Sequence, residues 1–171
     1  EWGVAVPVLR SLRQYYPDFQ STRVDGMFFT VYRNRGVQQI EEGFLADGIY
    51  TLHQASRFGT LDDEALNKQE WAGYYLAGMG YWNADWEKVL FYFEILVENA
   101  PRTANTSGVT AIQRYQQAAR LYGDLLFTEG DWCEAEIYYQ ISLDNGGNDQ
   151  ALIDRYNQSV EKCGQFENFG D

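Results

Sequence analysis

The segment Gly130-Asp131-Trp132-Cys133-Glu134-Ala135-Glu136-Ile137-Tyr138-Tyr139 decides how the chain is read, because it occurs more than once. An acid, a Trp, two variable residues and a small apolar residue recur in Asp85-Trp86-Glu87-Lys88-Val89 and in Glu1-Trp2-Gly3-Val4-Ala5. One helical turn further on stand Leu9, Phe93 and Tyr139, large apolar residues on the same face. Twelve residues after the small position stand Pro17, Pro101 and Gly147, each a helix terminator. A weaker copy, Gly43, Phe44, Leu45, Gly48, Leu52 and Ala55, lies between the first two. With Trp2, Leu45, Trp86 and Trp132 as markers, the spacings are 43, 41 and 46 residues. Self-similarity at such a period is the mark of a repeat protein.

The pattern predicts an all-α chain with helices over 2–16, 20–42, 45–58, 62–82, 86–99, 109–129, 132–144 and 149–163. The turns before the marked helices are Asn83-Ala84-Asp85 and Gly130-Asp131, where each Asp is placed to cap the helix that follows; Glu1 occupies the same position. The expected organisation is a single helical-repeat domain over 1–164 and a tail over 165–171. The chain opens inside a unit, on what reads as a second helix. Three complete pairs and a solvating last helix follow, so further protein or a bound partner is expected to cover the first helix.

This pattern resembles the tetratricopeptide repeat, in which two antiparallel helices form each unit and a small residue of the first packs on the second. It is similar to exported bacterial proteins of that type. The matching first-helix residues are Tyr32 and Gly36, Leu76-Ala77, and Tyr122-Gly123. The resemblance implies an α-α superhelix, a solenoid of about three repeats with a half repeat before them. The usual period is about 34 residues; the surplus falls in Thr60 to Gln69 and Thr103 to Gln113, read as extra turns lengthening the first helices. A HEAT-like array, with a period of about 40 to 47, is the competing architecture.

In tetratricopeptide proteins the stripe of the first helix away from its partner lines a concave groove. Trp71, Tyr74, Gly78, Tyr81 and Trp82 form such a stripe, distinct from the Leu76-Ala77 packing face. By the same resemblance Arg33, Val37 and Glu41 flank it on one side and Arg120, Asp124 and Phe127 on the other. Trp, Tyr and Arg are the residues enriched where binding energy concentrates.

The remaining composition narrows the function classes. The 171 residues carry 13 Lys and Arg against 25 Asp and Glu, a net charge of −12. That balance opposes nucleic acid, which needs a basic surface to displace counterions. It also opposes docking on an anionic leaflet. No apolar run approaches the roughly 20 residues of a membrane span. The lone histidine, His53, sits on a helix without a nucleophile beside it. No phosphate-binding glycine loop, nucleophile elbow or zinc-protease motif occurs, and Asp144-Asn145-Gly146-Gly147-Asn148-Asp149 lacks the closing Glu of a calcium loop. The chain is therefore read as a non-enzyme with no cofactor and no metal. Its expected role is an interaction scaffold for a peptide or partner subunit. The alternatives are a structural subunit of an extracellular or cell-envelope assembly, built from copies of itself, and a carbohydrate-binding module stacking sugars on Trp71, Tyr81 and Trp82.

Cys133 and Cys163 bear on the compartment. In an antiparallel hairpin, residues equidistant from the turn face one another, and the midpoint between these two is Asn148, inside Asn145-Gly146-Gly147-Asn148. A disulfide is expected, worth about 3 kcal/mol by loop entropy, and with it an extracytoplasmic location: periplasmic, cell-surface or secreted. Two free thiols would instead suit the cytoplasm. Asn105 and Asn157 head glycosylation sequons, Asn105 in a loop. Intact-mass measurement of the native protein is expected to show no alkylation by iodoacetamide until a reductant is added; two alkylated cysteines without reductant would refute the pairing.

Overall fold

The computed structural model describes residues 2–168. Among these are eight helices and no strand: α1 (Trp2–Tyr15), α2 (Ser21–Glu41), α3 (Leu45–Ala55), α4 (Asp63–Gly80), α5 (Trp86–Asn99), α6 (Ala111–Glu129), α7 (Trp132–Asp144) and α8 (Gln150–Asn168). They form two compact units. The first holds Glu1–Leu76 with the loop Thr103–Gly108, and the second holds Ala77–Arg102 with Val109–Asp171.

In the first unit α2 packs on both α1 and α3. A Cβ built on Gly36 would lie 2.7 Å from Leu52 Cγ, and one on Gly48 would lie within 3.0 Å of Ile40 and of the Gly36 carbonyl. These partners advance in opposite directions along the two helices, so α2 and α3 are antiparallel. The two glycines remove the side chains that would otherwise hold the backbones apart. Around them Val31, Tyr32, Val37, Ile40, Leu45, Leu52 and Ala55 are buried. Nearer the other end of the hairpin the rings of Phe28, Tyr32 and Phe58 stack with centroids 4.9 to 6.0 Å apart. Gly43, at φ +87°, ends α2 and lets the loop backbone at Asn105 approach to where any Cβ would collide.

The second unit repeats the device. A Cβ on Gly78 would meet the Phe93 ring at 2.7 Å, and one on Gly123 would meet the Tyr139 ring at 3.0 Å. Phe93 and Tyr139 are wholly buried, as are the small marker-segment residues Val89 and Ala135. Along this unit α5 packs on α6, α6 on α7 and α7 on α8. Cys133 near the start of α7 and Cys163 in α8 stand at disulfide distance, Sγ to Sγ 1.94 Å, with Cα atoms 4.9 Å apart.

Several expectations are corrected. Leu76 is exposed and Ala77 half-buried, whereas Ala72, Tyr75 and Gly78 are buried, so α4 packs through the latter face. The first-helix glycine that matters there is Gly78, which had been placed in the open stripe. Asp85 does cap α5, accepting from the Lys88 amide at 3.1 Å. Asp131 makes no such bond, and α7 begins without a side-chain cap; Glu1 lies outside the described residues. Thr103–Gly108 is a loop rather than added helix, and α6 starts afterwards at a Thr110–Gln113 capping box. Finally, α8 continues through the first residues of the expected tail to Asn168, and 169–171 lie outside the described residues.

The glycine contacts make a paired prediction. Gly36→Val is expected to lower unfolding free energy by about 1–3 kcal/mol through overpacking against Leu52. Gly73→Ala, with nothing within 4 Å of its Cβ position, is expected to raise it by about 0.5–1 kcal/mol through helix propensity. Urea titration followed by circular dichroism reads both.

Candidate binding cleft

The residues expected to line a groove fall in separate units and are engaged within them. In the first unit Arg33 donates from Nε and Nη2 to both Asp62 oxygens, at 2.8 and 2.7 Å, and also pairs with Glu64. This bidentate clamp ties α2 to the start of α4. The hydrogen bond from Arg33, reinforced by the Ala65 amide, holds the Asp62 carboxyl down to about 2. Lys68 pairs with Glu41 at 2.9 Å. Trp71 is half-buried, and the Tyr74 hydroxyl donates to Glu70 at 2.7 Å. His53 lies on the exposed side of α3, its Nε2 3.3 Å from the Gln69 amide nitrogen.

In the second unit Tyr81 stacks on Tyr92 with the Lys88 ammonium 4.9 Å from its ring. Trp82 meets Trp86 and Phe93 edge-on and carries the Arg114 guanidinium 5.2 Å above its face. Arg120 pairs with Asp149 at 2.6 Å. Asp124 accepts from the Tyr139 hydroxyl at 2.7 Å, and burial, with this carboxylate second, pushes the Tyr139 pKa up. Phe127 is covered by Arg155 and Lys162, each 4.6 Å from its centroid, and Lys162 also reaches Trp132. The two sequons differ in setting. Asn157 is exposed beside a buried Ser159, while Asn105 is half-buried and accepts from the Ser107 amide at 3.1 Å.

An open valley lies elsewhere in the first unit, between α1 and α3 with α2 as its floor. Its central section has a volume of about 460 Å³. The floor is one stripe of α2 and its C-cap, Phe28, Tyr32, Arg35, Gln39 and Glu42, spaced 4, 3, 4 and 3 residues apart. One wall is α1, through Gly3, Val6, Pro7 and Arg10; the other is α3, through Asp47, Tyr50, Thr51 and Gln54. Arg13 and Arg57 extend the lining past one end. Arg10 donates to the Tyr32 hydroxyl at 3.0 Å, Arg57 to the Gln54 amide oxygen at 3.3 Å, and Arg13 to Asp25 at 2.6 Å. Among the described residues, no carboxylate pairs with Arg10, Arg35 or Arg57. The Gln39 side-chain oxygen is buried with no hydrogen-bond partner.

Local sequence shapes the α1 wall of the valley. Gly3 sits against Arg35, so that a Cβ there would be 3.6 Å from Nη1. Pro7 lies inside α1 and has no N–H, so the Gly3 carbonyl lacks its helical donor. Nothing in the repeat reading pointed to these residues; Arg33 was singled out, two positions from Arg35. The available signal was the i, i+4, i+7, i+11 recurrence of aromatic and polar residues on α2. Such a stripe is indistinguishable in sequence from a solvated face until α1 and α3 are placed beside it.

No family model, curated protein or solved structure matches this chain. Among the described residues no group of His, Cys, Asp and Glu is placed to hold a metal, and no helix is long and apolar enough to cross a membrane.

The Arg33–Asp62 clamp has a pH signature. Because the folded-state pKa is depressed from 3.8 to about 2, its stabilisation is complete above the ordinary carboxylate value and is lost as pH falls from about 4 towards 2. Asp62→Asn is expected to flatten the dependence of the thermal midpoint on pH across that interval, and an unchanged slope would contradict the clamp.

Proposed function

We propose that this protein is a non-catalytic interaction scaffold, a tetratricopeptide-like solenoid that binds an extended peptide or a segment of a partner subunit in the α1–α3 valley. The observation that carries the reading is the set of cationic groups left open there: three arginines, Arg10, Arg35 and Arg57, without carboxylate partners among the described residues, in a chain with nearly two acids for every base. The aromatic stripe Trp71, Tyr74, Tyr81 and Trp82 was the first candidate for the ligand surface. Its rings and the flanking Arg33, Arg120, Asp124 and Phe127 are largely spent on contacts inside each unit, which favours the valley.

The recurrence of glycine against a large residue, Gly36 with Leu52, Gly78 with Phe93 and Gly123 with Tyr139, supports a tandem array of helix pairs. A work site outside the reducing cytosol is supported by Cys133 and Cys163 at disulfide distance. A second reading, a subunit of an assembly made of copies of this chain, is favoured by α1. Val4, Val8 and Tyr15 expose about 70% of their surface on one face of that helix, an apolar stripe that association would cover.

Selection of random linear peptides on the immobilised protein tests the scaffold reading. Selected peptides are expected to lose affinity by about tenfold, near 1.4 kcal/mol, in a Tyr50→Ala/Gln54→Ala variant with unchanged circular dichroism. Failure to select any binder, or binding indifferent to that variant, would sink it. Sedimentation velocity that shows growing mass with concentration, abolished by Val8→Glu, would favour the assembly instead.

A further inference from the structure

We infer that the α1–α3 valley takes an extended acidic peptide, whose carboxylates pair with Arg10, Arg35 and Arg57 while its backbone N–H groups reach the Gly3 carbonyl. The inference rests on the scaffold reading and names the ligand chemistry of that site. Arg13 at the end of the valley and four cations elsewhere, Arg33, Lys68, Lys88 and Arg120, each have a carboxylate within 4.0 Å. In a protein of charge −12, acids to pair with are abundant. Of the arginines that pair with no carboxylate among the described residues, Arg10, Arg35 and Arg57 gather along a single valley, and Arg35 is half-buried on its floor. A guanidinium presents a planar fork of donors that matches a carboxylate two-to-one.

An acceptor in the same place calls for a donor. Pro7 deprives the carbonyl of the exposed Gly3 of its helical N–H. Gly3 lines the valley beside Arg35. A polypeptide supplies the two chemistries together, carboxylates from its side chains and N–H groups from its backbone, whereas a phosphodiester backbone offers no N–H. The floor stripe from Phe28 to Glu42 spans about 21 Å at about 1.5 Å per residue. That is the reach of about six residues of extended chain at about 3.3 Å each. The like charge of the whole protein does not forbid the approach, since at physiological salt fields decay over about 8 Å and the nearest groups dominate. Asp47 lines the central section and Glu42 the end away from Arg57, so the acidic stretch of the ligand lies towards Arg10 and Arg57.

The test uses fluorescein-labelled hexaglutamate, hexaglutamine and hexagalacturonate, titrated with the full chain by fluorescence anisotropy at low and physiological salt. Hexaglutamate is expected to bind at least about tenfold more tightly than hexaglutamine and to weaken as salt rises. Arg35→Gln should reduce its affinity about tenfold and exposed Arg10→Gln severalfold, while Lys88→Gln in the second unit changes nothing; thermal melts establish that each variant is folded. Hexaglutamate made with N-methylated backbone amides should bind more weakly than the parent, the part of the effect that charge alone would not produce. Equal affinity for hexaglutamate and hexaglutamine, indifference to both arginine variants, or tighter binding of hexagalacturonate would overturn the inference. Display-selected neutral peptides that still depend on Tyr50 and Gln54 would overturn it while leaving the scaffold reading intact.

Discussion

A glycine in the first helix of a pair, closed over by a large side chain from the second, sets how near two helices can come, and the rest of each unit is arranged around that distance. At Gly36, Gly78 and Gly123 even one added carbon would meet Leu52, Phe93 or Tyr139 at 2.7 to 3.0 Å. Interiors packed to crystal-like density do not absorb such an intrusion without moving backbone. The close approach in turn buries the small marker residues Val89 and Ala135 completely, because only short side chains fit where the helix axes are this near. The marker Trp residues are not the core itself. Trp86 and Trp132 are half-buried at the rim, where an indole keeps one edge wet.

Cations in both units use carboxylates and aromatic faces. In the second, Arg114 lies on Trp82, Lys88 on Tyr81 and beside Asp85, Arg155 and Lys162 on Phe127, and Arg120 pairs with Asp149. In the first, Arg33 is clamped by Asp62 and Glu64, and Arg13 by Asp25 with its guanidinium over Phe28, whereas Arg10, Arg35 and Arg57 are left with neutral partners or none. The acidity of the chain, which in the sequence served to set nucleic acid aside, makes that omission informative. In the reading proposed above, an outside acid serves Arg10, Arg35 and Arg57.

The helix map was legible because its punctuation is local. Pro17, Pro101, Gly130 and the turn at Asn145 to Asn148 stop helices through their own backbone preferences, and seven of the eight observed helices begin and end within about three residues of the expected bounds. The cysteine pairing was legible for a related reason, since an antiparallel hairpin fixes its partners by distance from the turn. Facing was harder. On α4 both Leu76-Ala77 and Tyr75 with Gly78 satisfy a helical period, and only the position of Phe93 shows that the latter pair is inside. Thr103–Gly108 carries the Asn-Thr-Ser-Gly of a loop, and its backbone at Asn105 lies close against Gly43.

The sequence by itself therefore determined an all-helical chain, its element boundaries and the Cys133–Cys163 juxtaposition, because each depends on residues close in the chain or on the symmetry of one turn. Tertiary structure alone decided which side chains are consumed by internal contacts and which remain open. Trp82, Asp124 and Phe127 look like binding residues until Arg114, Tyr139 and Lys162 arrive from other helices. Arg35 and Gln39 look like solvated positions until α1 and α3 stand on either side of them. Whether a polar side chain is satisfied is a property of everything around it, and segments distant in sequence supply most of those surroundings.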